Sequence, residues 1–202
     1  MIEIPKYYTP IEPVVCWSGA FTDKELDNIC EMGDHRVFME AKVGSSQIDG
    51  SGNENSEIRK SQVSWISPDE NTHSLFCKIA ELVSTVNADK FQFELNNLPA
   101  FQYTTYKTGG FYDWHIDADY KTVFGPWHRK LGISILLSTP EEDFTGGEFQ
   151  FIAGGNPTQI EIAKCKRGDI LAFPSFIPHR VTEVTSGTRK SLVAWITGPK
   201  FK

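Results

Sequence analysis

The densest chemistry in this chain sits at His115 and Asp117, within Trp114-His115-Ile116-Asp117. On a strand, side chains two apart point to the same face, so one imidazole and one carboxylate project side by side. His179 lies 64 residues further on, in another strand-like run, Ile177-Pro178-His179-Arg180-Val181. Two imidazoles and one carboxylate on one face of a metal leave the opposite face open. That ligand set suits a mononuclear non-haem Fe(II), whose open positions take a co-substrate and O2. Arg189 follows His179 by ten positions, in Gly187-Thr188-Arg189-Lys190-Ser191. A guanidinium grips a carboxylate bidentately and stays charged. It therefore suits the far carboxylate of a chelating keto diacid, whose unpaired burial would cost several kcal/mol. Each signal is weak alone. A lone strand histidine is more often packed or solvated than a ligand, and an arginine beside a turn is ordinarily solvated. Their conjunction in one β-rich half carries the reading.

The elements that must position these residues come in two blocks. Thr22-Asp23-Lys24-Glu25 is a capping box, and Leu26, Ile29 and Cys30 repeat at helical spacing behind it until Gly33 and Asp34. Residues 36–43 suit a strand, as does the alternation around Val63 and Trp65. A second helix is expected from about Asn71 to Val86, burying Leu75, Ile79, Leu82 and Val86, with Phe76 and Val83 widening the stripe. From residue 99 the text becomes short strands and Gly/Pro turns. Phe101, Tyr103 and Thr105 alternate with Gln102, Thr104 and Tyr106, and Leu131 to Leu137 reads as a central strand. This spacing predicts a mainly β, α+β chain with a jelly-roll (double-stranded β-helix) core over 99–199 and N-terminal helical support over 1–98, in a single domain of 1–202. Residues 44–57 and 118–129 read as loops, the first a candidate lid.

With 202 residues, 40% apolar and 12% aromatic, the chain can bury a sizeable core. A net charge of −6 without a basic run argues against nucleic acid and anionic membranes as partners. Cys16, Cys30, Cys77 and Cys165 form no C-x-x-C pair, which fits reduced thiols and a cytoplasmic setting. The start, Met-Ile-Glu-Ile-Pro-Lys, lacks a basic-then-apolar leader, and no apolar run is long enough to span a bilayer.

Several segments, in order, resemble the 2-oxoglutarate- and Fe(II)-dependent dioxygenases, within them the prolyl 4-hydroxylase-like group. Arg59-Lys60-Ser61-Gln62-Val63-Ser64-Trp65 is similar to that group's Arg-x-Ser-x-x-x-Trp run. The stretch from Tyr103 to Phe111 followed by His115-x-Asp117 resembles its first iron-binding segment. Gly146-Gly147-Glu148-Phe149, then Gly168 to Phe173, then His179 to Arg189 with Trp195, resemble its later ones. The resemblance implies that His115, Asp117 and His179 bind Fe(II) and that Arg189 and Tyr106 hold 2-oxoglutarate. It implies that Trp195 lines the substrate pocket, although core packing explains Trp195 equally well. It further implies a peptidyl-proline substrate, O2 as oxidant and ascorbate as a reductant. The group often has Lys where this chain has Arg189. Ile133 falls where some members place a hydroxyl beside the distal carboxylate, so Ser191 is the candidate second anchor. Family halogenases lack the carboxylate ligand, so Asp117 favours hydroxylation. The alternatives are an oxygenase acting on another amino-acid side chain, a small molecule or a nucleobase, a non-catalytic jelly-roll binding module, and a cupin-like metal isomerase.

Overall fold

The computed structural model describes residues 12–41, 57–118, 127–154 and 156–200. The expected loops at 44–57 and 118–129 lie mostly outside them. In chain order the first half forms β1 (Val15–Trp17), α1 (Asp23–Asp34), β2 (Met39–Glu40), β3 (Arg59–Lys60), β4 (Gln62–Ile66) and α2 (His73–Val86). The second half forms β5 (Phe101–Lys107), β6 (Phe111–His115), β7 (His128–Leu136), β8 (Phe144–Gly146), β9 (Phe149–Ile152), β10 (Ile160–Ala163), β11 (Ile170–Pro174), β12 (His179–Val181) and β13 (Val184–Gly198).

The strands make two antiparallel sheets. The larger runs β1-β11-β7-β13-β5-β4-β2, with β8 also paired to β13. The smaller runs β10-β9-β12-β6-β3. This is the jelly roll expected, and its period of two divides the large sheet into two faces. Leu192, Ala194 and Ile196 of β13, Leu131, Ile133 and Ile135 of β7, and Phe101 and Tyr103 of β5 join the helices in one apolar core. Arg189, Ser191, Val193 and Trp195 of β13, Ser134 of β7, and Gln102, Thr104 and Tyr106 of β5 line a cavity on the other face.

Helix α1 starts where the capping box places it. The Glu25 backbone N–H donates to Thr22 Oγ1 (3.3 Å), and the Thr22 N–H donates to Glu25 Oε2 (2.8 Å). It buries Leu26, Ile29 and Gly33. A Cβ at Gly33 would lie 2.4 Å from the Tyr103 ring, so only glycine lets the helix end press on the sheet. Asp34 then accepts from Tyr103 Oη (2.9 Å) and Lys190 Nζ (2.7 Å), tying that end to β5 and β13.

Three expectations need adjustment. Helix α2 starts at His73 rather than Asn71, because the Asp69 side chain gathers the Asn71 and Thr72 backbone N–H groups into a turn (both 2.9 Å). Its buried residues are Leu75, Phe76, Ile79 and Val83, with Leu82 and Val86 only partly covered. Phe76 reaches the Phe101 ring at 4.2 Å, which turns the stripe toward its aromatic side. Of the strand expected over 36–43, residues 36–41 are described, and among these only Met39–Glu40 forms a strand, paired with Gln62 and Val63. Arg36 is still bonded to the helix end through Gly33 O (3.2 Å), and Val37 is exposed. Among the described residues, no helix is long and apolar enough to cross a membrane.

Candidate metal centre and its cavity

The two sheets bring His115, Asp117 and His179 together, with their ligand atoms all within 4.8 Å of one another. The His115 Nε2 to Asp117 Oδ1 distance is 3.8 Å, and the His179 Nε2 to Asp117 Oδ2 distance is 3.7 Å. The two histidines face each other across the β6–β12 pairing. Each imidazole is aimed the same way. Nδ1 of His115 bonds the Asp113 carbonyl (2.8 Å), and Nδ1 of His179 bonds the Ile177 carbonyl (2.9 Å). A carbonyl only accepts, so each Nδ1 carries the proton and each Nε2 presents a lone pair. Burial, then the neighbouring His179, pushes His115 down to about 3. The imidazole is thus neutral, the form a metal needs.

Asp117 does not share a strand with His115. Strand β6 ends at His115. Asp117 is held beyond it by its backbone N–H, which donates to Ser175 O (2.8 Å). A Cβ at position 132 would lie 2.9 Å from Asp117 Oδ2, so Gly132 leaves the carboxylate its room. Rings wall the histidines. Tyr112 stacks on His115 with centroids 3.5 Å apart, and Phe149 and Phe173 lie 5.2 and 4.6 Å from His179.

Arg189 is 4% exposed, and the same cavity is lined by Tyr106, Ser191 and Trp195. Its Nη1 donates to Ser191 Oγ (3.2 Å), and its guanidinium lies 5.7 Å from the Tyr106 ring centre. Its Nε has no hydrogen-bond partner, and none of the ion pairs among the described residues includes it. Burial pushes its pKa below the ordinary value. A buried cation with an orphaned donor is costly unless an anion meets it. That is the observation a distal carboxylate fits. Trp195 lies with the Arg129 guanidinium 4.2 Å from its ring centre, and its Nε1 is buried without a partner. The enclosed space is narrow, ≈ 40 Å³. A larger groove of ≈ 840 Å³ between α1 and α2 contains none of these residues.

The hydroxyl expected in place of Ile133 is one position away. Ile133 joins the helix-side core, while Ser134 lines the cavity. A one-residue offset on a strand reverses the face. Among the further cavity residues that were given no role from sequence are Arg59, Gln102, Thr104 and Tyr112. Gln102 and Thr104 share the period-two row of Tyr106, a signal that was present. Tyr112 is hidden by a bulge: two residue steps along β12 (His179 to Val181) span three along β6 (His115 to Tyr112), so Tyr112 and His115 share a face despite their odd spacing. Arg59 arrives through pairing with Tyr112 across 53 residues of sequence, which no local pattern encodes.

A jelly roll with two histidines and one aspartate converging in its interior defines the class: a β-helix barrel built around a three-residue metal-ligand set. Residues 101–197 match the family model of the 2OG-Fe(II) oxygenase superfamily. Over these residues, just under half of the chain, the sequence is similar to that superfamily. A PKHD-type hydroxylase of Acidovorax ebreus (strain TPSY) is 33% identical over 98 residues, which are 47% of this chain and 41% of the relative. One of Colwellia psychrerythraea is 36% identical over 89 residues, 44% of this chain and 38% of the relative. The match thus spans less than half of each of these curated relatives. A Pseudomonas putida prolyl-4-hydroxylase superposes with a TM-score of 0.71 at 16% identity, covering 94% of both chains. A viral collagen prolyl hydroxylase from Paramecium Bursaria Chlorella virus-1, in complex with 2OG, does so at 0.67 and 21% identity, covering 93% of this chain and 97% of that one. At these identities the likeness is one of fold.

Proposed function

We propose that this chain is an Fe(II)- and 2-oxoglutarate-dependent hydroxylase acting on a prolyl residue of a peptide or protein, with residues 1–202 working as one catalytic unit. The observation that carries the reading is the conjunction of the converging His115, Asp117 and His179 atoms with a buried, acid-free Arg189 in one cavity. The relatives' names, PKHD-type hydroxylase and prolyl 4-hydroxylase, support the choice of reaction and of proline. The four cysteines are free, which supports a reducing, cytoplasmic setting.

In this reading His115, Asp117 and His179 hold Fe(II), with both Nδ1–H groups locked on carbonyls so that the rings cannot turn away. Arg189 takes the distal carboxylate of 2-oxoglutarate, and Ser191 and Tyr106 flank it. Trp195 forms the wall the prime substrate meets. Phe149, Phe173 and Tyr112 keep the metal side dry. Bound iron with 2-oxoglutarate and O2 supplies the oxidising power to hydroxylate an unactivated C–H bond, leaving succinate and CO2.

The test is turnover with proline-containing peptides. Succinate should form in step with a gain of one oxygen on the peptide, read by mass. Metal uptake with no succinate from any peptide would favour a binding module instead. Succinate coupled to a different substrate would move the reading to another oxygenase.

A further inference from the structure

The cavity holds a second buried guanidinium to which the roles above give no task. Arg59 is 5% exposed and lines the same cavity as Arg189 and Trp195. Its Nε donates to Ser61 Oγ (2.8 Å), and its Nη2 donates to Gln102 Oε1 (2.9 Å). Both acceptors are neutral. The guanidinium lies 4.5 Å from the centre of the Tyr112 ring, and Tyr112 stacks at 3.5 Å on His115. Arginine, tyrosine and ligand histidine thus form one stack, with the charge on the His115 side of the ligand set. None of the ion pairs among the described residues includes Arg59.

Charge balance makes this informative. The lining carries two guanidinium groups, Arg59 and Arg189, and one carboxylate, Asp117. A ferrous dication and a 2-oxoglutarate dianion cancel each other. One of the two guanidinium charges is then offset by Asp117, and one positive charge remains in a site walled by rings. Gln102 and Ser61 orient Arg59 without neutralising it. A carboxylate facing Arg59 would complete the charge balance, since a buried charge is favourable only when an opposite charge meets it. A planar fork held by side-chain acceptors suits a carboxylate.

We propose that Arg59 receives a carboxylate carried by the prime substrate, so that the substrate is acidic close to the carbon that reacts. This rests on reading the cavity as an oxygenase site. A plain prolyl residue in a chain has no such group. The substrate therefore has an acidic residue beside its target or is itself a carboxylic acid. The other carboxylate that could reach Arg59 is the keto-acid end of 2-oxoglutarate, and the experiment separates the two.

Wild-type protein and the variants Arg59→Gln and Arg59→Lys are loaded with Fe(II) and 2-oxoglutarate under argon and titrated calorimetrically. The probes are matched pairs: L-proline with L-prolinamide, and short proline peptides with Asp or Asn beside the proline. Wild type should bind the acid of at least one pair about tenfold to a hundredfold more tightly than its neutral partner. The pair that responds identifies the substrate as free acid or acidic peptide. Arg59→Gln should erase the preference, and Arg59→Lys should keep part of it. The affinity for 2-oxoglutarate should stay within about threefold of wild type. A wild type that binds acid and amide alike overturns the proposal without needing any variant to fold. So does an Arg59→Gln protein that keeps the preference, or one whose loss falls on 2-oxoglutarate instead. Failure of the wild type to bind 2-oxoglutarate at all sinks the oxygenase reading itself. Binding of 2-oxoglutarate with no acid preference sinks only the role of Arg59.

Discussion

The two faces of the large sheet use the same strands for opposite ends. On β13, Leu192, Ala194 and Ile196 enter the helix-side apolar core. Their partners in sequence, Ser191, Val193 and Trp195, enter the cavity with Arg189. The helix-side core is built of hydrophobic side chains. The cavity side holds two buried guanidinium groups and orphaned donors on Arg189 and Trp195. Polar groups without partners weaken a fold. The cavity face thus lowers stability for the sake of binding, and the helix face supplies the stability that offsets it.

Substitutions on the cavity side should break activity and leave the fold. Asp117→Ala or His179→Ala is expected to abolish succinate formation while the melting temperature of the metal-free protein holds or rises. Hydroxylation by either variant at the wild-type rate would remove that residue from the ligand set. The neighbouring pair Leu192 and Ser191 sharpens the contrast. Leu192 is 1% exposed in the helix-side core, so Leu192→Ala should cost about 2–5 kcal/mol in urea unfolding and leave the KM for 2-oxoglutarate unchanged. Ser191→Ala should do the reverse, raising that KM a few-fold at a stability cost of about 1 kcal/mol or less. If the two variants respond alike, the division between faces is wrong.

The smallest expected effect concerns pH. His115 titrates at about 3 in the folded chain, against an ordinary value of 6.5. Between those values the unfolded chain binds a proton there that the folded chain refuses. The stabilisation is complete above the unfolded value and is lost as pH falls toward the folded one, with a slope of at most about 1.4 kcal/mol per pH unit. Metal-free wild type should therefore lose stability on acidification from neutral pH, and His115→Phe should flatten that part of the profile. An NMR titration showing His115 protonating near 6.5 would contradict the burial argument.

Much of this division was legible in the residues. The Thr22–Glu25 capping box placed α1, and the alternation over 101–106 contained both faces of β5. The ligand residues and Arg189 could be picked out by type and order. Long-range pairing was not legible. Which row of an alternating strand faces inward depends on the neighbouring sheet, and on β7 it is Ser134, not Ile133, that lines the cavity. The bulge at β6 changes the spacing rule where Tyr112 joins the site. Arg59 opens the Arg-x-Ser-x-x-x-Trp run in the sequence, but its place in the cavity follows only from the pairing of β3 with β6. The i, i+2 argument put His115 and Asp117 on one strand, whereas the two converge because Asp117 is held by Ser175 in the space left at Gly132.

The central claim is that Arg189 is kept buried and without an acid partner in order to bind a diacid chelated at the histidine–aspartate site. Anaerobic titration of 2-oxoglutarate into the Fe(II)-loaded protein, followed by the visible charge-transfer band of the chelate, tests it directly. The band should appear in wild type, and Arg189→Ala should need about a hundredfold more 2-oxoglutarate to reach the same intensity. No band in wild type, or equal half-saturation in the two proteins, would contradict the account.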